Sequence, residues 1–161
     1  MTDLPAGEKR LDTCDATYAE RQSVPNKGEE LFEAWCKTNG KPVWRFGFDE
    51  KKGNIPDFFL IDPRLRSLPD YILNNFGAII FVHVKGTNKL KVADLGLYAD
   101  FESEYVVHRK NCHLRVCFAM GEKAFFWFSV YDLIEVTKGL QTKFFKDPGG
   151  VKEYWEIPLF E

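Results

Sequence analysis

The stretch GAIIFVHVK, residues 77–85, decides how the chain reads. β-Branched and aromatic residues dominate it, and it is apolar on both faces until its end. It therefore predicts a strand at the centre of a sheet. Side chains on a strand alternate between faces. Ala78, Ile80, Val82 and Val84 share one face, which can be wholly buried, while Ile79 and Phe81 precede His83 and Lys85 on the other. Two polar side chains thus stand together where an apolar strand runs out. Such groups cost free energy unless they are paired or bind a metal.

Working outward, residues 55–62, IPDFFLID, predict a second strand whose apolar run is again broken by an acid, Asp57. With residues 42–48, PVWRFGF, it reads as a hairpin closed by the charged turn DEKKGN. Residues 26–38, NKGEELFEAWCKT, predict a helix. Asn26 caps it, Glu29 and Glu30 suit its positive end, and Leu31, Phe32, Ala34, Trp35 and Cys36 form its apolar side. Residues 63–75, interrupted by Pro63 and Pro69, predict an irregular loop or a short helix. Downstream, residues 91–110 predict a long helix, 113–119 and 123–130 a second hairpin, and 131–138 a short helix. The remainder reads as a loop and an extended tail. Residues 1–25 are polar and read as a flexible arm, leaving 26–161 as a single domain. The fold class is α/β, a mixed sheet of about five strands flanked by helices.

A chain of 161 residues with 45% hydrophobic and 29% charged residues can bury a real core. Its formal net charge of −2 excludes a global basic field, so any nucleic-acid site must be a local patch. Cys14, Cys36, Cys112 and Cys117 form no CxxC pair, and the N-terminus does not read as a secretory signal. No apolar run approaches the roughly 20 residues that span a bilayer. The expectation is a cytoplasmic protein with reduced thiols and no membrane association. The spacing of His108, Cys112, His113 and Cys117 fits no standard zinc finger.

Where IPDFFLID is followed by IIFVHVKGT, the chain resembles the PD-(D/E)xK nuclease superfamily. Pro56–Asp57 matches the first half of that superfamily's pattern. His83–Val84–Lys85 matches the second, with histidine in the acidic position. Glu30 is the best match to the acid on the preceding helix, with Glu29 close behind. The resemblance implies a restriction-endonuclease-like core and a metal-dependent endonuclease, most readily on DNA, with RNA as a further possibility. It implies Mn²⁺ or Mg²⁺ held by Asp57, His83, the Val84 carbonyl and Glu30, with Lys85 positioning the attacking water and stabilising charge on the phosphate. Imidazole suits Mn²⁺ better than Mg²⁺. A histidine ligand must be deprotonated, so activity is expected to decline as pH falls through the region of about 6.5, shifted lower where metal competes with the proton. Lys51, Lys52, Arg64, Arg66, Lys89 and Lys91 could form a phosphate-gripping rim, or an ordinary charged surface. By resemblance, such domains serve phages, mobile elements, repair or restriction, and cutting both strands would favour a homodimer. The alternative is a catalytically degraded nuclease fold, its acid lost to His83, acting as a structural or DNA-binding component of a phage particle or nucleoprotein complex.

Overall fold

The computed structural model describes residues 27–47, 64, 67–147 and 150–159. Its centre is a five-stranded sheet with β1 at Val43–Arg45, β2 at Tyr71–Asn75, β3 at Ala78–Lys85, β5 at Cys112–Gly121 and β6 at Ala124–Phe128. The strand order is β1-β2-β3-β5-β6, so β3 is central, as its two-sided apolar pattern requires. β1, β2 and β3 run antiparallel in turn. β3 and β5 are parallel, with Val82 beside Arg115, and β5 turns back into β6. The parallel pair needs a crossover, which helix α2 at Val92–Phe101 supplies. The fold is thus α/β with a mixed five-stranded sheet flanked by helices, as expected.

Alternation along the strands builds two apolar layers. Val82 and Val84 join Tyr71 and Leu73 beneath helix α1, Lys27–Thr38, which contributes Phe32 and Cys36. On the other face, Phe81 joins Leu114, Val116 and Phe118 beneath Leu95 and Tyr98 of α2. Leu133 reaches the same layer from helix α3, Val130–Thr137. A reciprocal cap starts α3: Asp132 N donates to Ser129 Oγ and Ser129 N to Asp132 Oδ2, each at 3.1 Å. Among the described residues, no helix is long and apolar enough to cross a membrane.

Two segments differ from the sequence reading. Within 63–75, expected to be irregular, Tyr71–Asn75 is a strand. Pro69 does not interrupt this strand; it stands just before it, a position where its missing N–H is tolerated. The expected loop and extended tail contain a hairpin, β7 at Lys143–Asp147 and β8 at Gly150–Glu156. With β4, Lys89–Lys91, it makes a three-stranded sheet in the order β4-β8-β7. Buried Leu90, Tyr154 and Ile157 explain why this segment folds back. The long helix divides into α2 and a π-helical turn at Glu102–Val106. The arm 1–25 and the strand expected at 55–62 lie outside the described residues.

Candidate active site

The β2–β3 hairpin delivers one carboxylate to the end of the central strand. Asp70 N donates at 2.9 Å to the carbonyl of Val82, the residue that also pairs with Tyr71, so the chain bends out of register just before β2. Asp70 therefore lies against the end of β3, beside Val82 and Val84. Its Oδ2 accepts from Val84 N at 2.8 Å, which folds the carboxylate onto the backbone of His83–Val84–Lys85. Helix α1 brings a second carboxylate. A Cβ on Gly28 would lie 2.6 Å from Gly86 Cα, so only glycine lets the first turn of α1 rest on the end of β3. The next residue, Glu29, pairs with Arg45 Nη1 at 2.9 Å.

These groups feel one another. Burial raises the Asp70 carboxyl to about 6; the nearby Glu29 charge adds to the shift, while the Val84 N–H, Lys85 and Arg45 oppose it. Lys85 Nζ lies 3.1 Å from Asp94 Oδ2 and 5.8 Å from the Tyr98 ring centre. Burial opposes its charge, but Tyr98 and Asp94 outweigh burial and push its pKa up. Asp94 is itself held below its usual range: burial works against this, and Lys85 and Lys91 prevail. His83 is 4% exposed and its ring stacks on Tyr98 with centres 3.7 Å apart. Its Nε2 is buried without a hydrogen-bond partner. Burial, reinforced by the Lys85 charge, lowers its pKa to about 3. Burial and the Lys85 charge thus favour the neutral imidazole, the form that a metal ligand requires.

Of the residues singled out in the sequence, His83, Val84 and Lys85 lie at this site. On α1 it is Glu29 that turns inward, half-buried, whereas Glu30 is exposed. Asp57, Lys51, Lys52 and Arg66 lie outside the described residues. Arg64 is exposed and lines a cavity of about 480 Å³ with Leu68, Leu97, Phe101 and Tyr105. Lys89 and Lys91 occupy β4, over the rings of Tyr154 at 5.2 Å and Phe145 at 5.5 Å. Asp70, Arg45, Asp94 and Tyr98 escaped the sequence reading. The available signal for Asp70 was a second Pro–Asp pair, Pro69–Asp70, joined to the central strand by the short turn Phe76–Gly77.

Among the described residues, no three His, Cys, Asp or Glu side chains are grouped closely enough to hold a metal ion by themselves. The donors present suit a sparser kind of site. Mg²⁺ is commonly held by one or two carboxylates, with water and substrate phosphate completing its shell. Asp70, costly to ionise where it stands, is such a donor. His83 Nε2 is a buried polar atom that lacks any other partner.

No family model matches the chain, and no curated protein matches it in sequence. Among solved structures, it is similar to Hjc, a Holliday junction resolvase from the archaeal hyperthermophile Archaeoglobus fulgidus. The identity is 13% over 80% of this chain and 86% of that one, with a TM-score of 0.43. The order found here, a helix, three antiparallel strands, a crossover helix and a strand parallel to the third, is consistent with a restriction-endonuclease-like core.

Proposed function

We propose that the protein is a metal-dependent endonuclease that hydrolyses phosphodiester bonds in DNA. One observation carries this reading: hydrogen bonds to Val82 O and from Val84 N hold the Asp70 carboxylate against the backbone of His83–Val84–Lys85 at the end of the central strand. Asp70 replaces Asp57 in the proposal as the anchoring acid, and Glu29 replaces Glu30. A divalent ion held by Asp70 together with either His83 Nε2 or Glu29, with water and substrate phosphate completing its shell, would polarise the phosphate and acidify a bound water. Lys85, kept charged by Tyr98 and Asp94, is no proton acceptor. Its role is to orient water and offset negative charge developing on the phosphate. Lys89 and Lys91 would steer the backbone towards this end of the sheet. Cleavage of both strands would call for two copies of the chain.

The test is a titration of Mg²⁺ and of Mn²⁺ against EDTA, with plasmid DNA, single-stranded DNA and RNA as substrates. DNA cleavage only with metal is the expected result, and Asp70→Asn and Lys85→Met should abolish it while the protein stays folded. Cleavage in EDTA would remove the metal, and full activity in Asp70→Asn would remove the anchor. Asp57→Ala belongs in the same series: loss of cleavage there, with Asp70→Asn active, would return the role to Asp57. A second reading has its own observation in favour. Lys85 is paired with Asp94 and Glu29 with Arg45. Charges already partnered internally suit a nuclease fold kept as a DNA-binding or structural component. Binding without cleavage under every metal would select that reading.

A further inference from the structure

The far end of the central sheet carries a feature that folding does not explain. Phe76 and Gly77 form the two-residue turn between β2 and β3, with φ of 51° and 86°. Such turns favour Asn–Gly, because Asn and Gly enter the left-handed region readily and an aromatic residue does not. Phe76 nonetheless holds this position, and it is 96% exposed. Its ring is steadied by Lys41 Nζ, 4.3 Å from the ring centre, and that ammonium donates to Asn75 Oδ1 at 2.8 Å. The opposite ring face is open. A strained backbone that presents a solvent-exposed aromatic is a cost without a return inside the fold.

Among the described residues, the charged side chains gathered here are basic. Ile79 N donates to Asn111 O at 2.8 Å, which fixes the exposed loop His108–Arg109–Lys110 beside the hairpin tip. Lys37 and Lys41 approach from the end of α1. The described segments that meet here, 37–43, 73–80 and 107–113, contain no Asp or Glu. Among the described residues, no carboxylate pairs with Lys37, Lys41, Arg109 or Lys110. In a chain of net charge −2, this is a local field suited to a polyanion. An aromatic ring with one free face, set among cations, matches how unpaired nucleotides are held: bases stack on rings and phosphates meet Lys and Arg. Bases within a duplex are already stacked.

We infer that this end of the sheet is a second nucleic-acid contact, selective for unpaired nucleotides, in which Phe76 stacks on a base while Lys41, Arg109 and Lys110 hold the flanking phosphates. By strand rise it lies about 23 Å along β3 from Lys85. The inference rests on nucleic acid being the ligand, as in the function proposed above, but not on cleavage. Fluorescence anisotropy in EDTA tests it, using a labelled mixed-sequence single strand, the duplex of the same sequence, and poly-glutamate as an acidic competitor. Phe76→Asn restores the favoured Asn–Gly turn, so it should melt no earlier than wild type. It should nevertheless weaken single-strand binding by roughly five- to a hundredfold and duplex binding much less. Arg109→Gln with Lys110→Gln should lower the slope of log K against log salt by about 0.7 per lost contact on the single strand. Single-strand affinity unchanged in Phe76→Asn overturns the inference. So does absence of nucleic-acid binding by wild type, or a preference for poly-glutamate that depends on Phe76, which would assign the tip to an acidic protein. Cleavage by wild type with unaltered Phe76→Asn binding refutes this contact and leaves the catalytic reading intact. Phe76-dependent binding without cleavage under any metal does the reverse.

Discussion

Asp70 links the stability of the protein to its chemistry. Its folded pKa of about 6 exceeds the usual carboxylate value, chiefly through burial. A raised folded pKa means that the group favours the folded state at pH below its unfolded value, and that this contribution is lost as pH rises through about 6. Ionised Asp70 therefore burdens the metal-free protein at neutral pH. Asparagine keeps an oxygen for the Val84 N–H and removes the charge. Asp70→Asn is expected to be more stable than wild type at pH 7 by roughly 1–3 kcal/mol, at about 1.4 kcal/mol for each pKa unit. The gap should close as pH falls towards 4. Urea melts in EDTA across this range measure it, and equal stabilities at pH 7 would show that the carboxylate is not desolvated. His83 pulls the other way. Its folded pKa of about 3 is below the unfolded value, so its contribution is present above about 6.5 and lost as pH falls. Comparing Asp70→Asn with wild type at each pH isolates the first effect, because both proteins carry His83.

Among the elements, helix α1 shows how a contact without a functional group can govern the site. The Cβ of an alanine at position 28 would stand 2.6 Å from Gly86 Cα and 2.7 Å from Gly86 N, both backbone atoms. Neither can swing aside, so the first turn of α1 must lift and carry Glu29 away from Asp70. Gly28→Ala is expected to cost about 1–3 kcal/mol as overpacking and to reduce cleavage as well. Gly96, within α2, has open space around it, so Gly96→Ala should be neutral or stabilising by up to about 1 kcal/mol. Thermal melts and cleavage rates for the pair separate the two cases; equal behaviour would deny the close approach. The same helix shows what could be read from sequence. Its existence was plain from its apolar spacing, and β3 from its unbroken run. The phase of α1 was not, because Glu29 and Glu30 differ by about 100° around the axis and only the packing of Gly28 on Gly86 decides between them. β2 was hidden because YILNN carries two asparagines and follows a proline. β7 and β8 were hidden because their support is non-local: Leu90 of the three-residue β4 pairs with Trp155. The HVK end of the site was readable as polar residues in an apolar strand. The partnership of Lys85 with Asp94 and Tyr98 was not, since it exists only once α2 crosses the sheet.

For the molecule as a whole, the two functional readings differ in one equilibrium, binding of a divalent ion. An ion that binds only the folded state stabilises it by RT ln(1 + [L]/Kd), about 2.7 kcal/mol at a hundredfold excess over Kd. In a chain of this size each kcal/mol raises Tm by about 2–4 °C. The site offers a carboxylate that is costly to ionise and a buried imidazole nitrogen with no partner. A cation on Asp70 would relieve the first, and the second as well if it also reaches His83 Nε2, so the metal-free protein should melt lower than the metal-bound one. Imidazole favours Mn²⁺ over Mg²⁺, so Mn²⁺ is expected to give the larger shift at equal concentration. Asp70→Asn should abolish the shift with either ion, even though it raises Tm in EDTA at pH 7. The two effects of one substitution thus have opposite signs, which a merely structural Asp70 would not produce. Scanning calorimetry of wild type and Asp70→Asn, with EDTA, Mg²⁺ and Mn²⁺, reads all of this without a substrate. A wild-type Tm indifferent to both ions would leave the fold to the binding-component reading, with Lys85–Asp94 and Glu29–Arg45 as its permanent internal pairs.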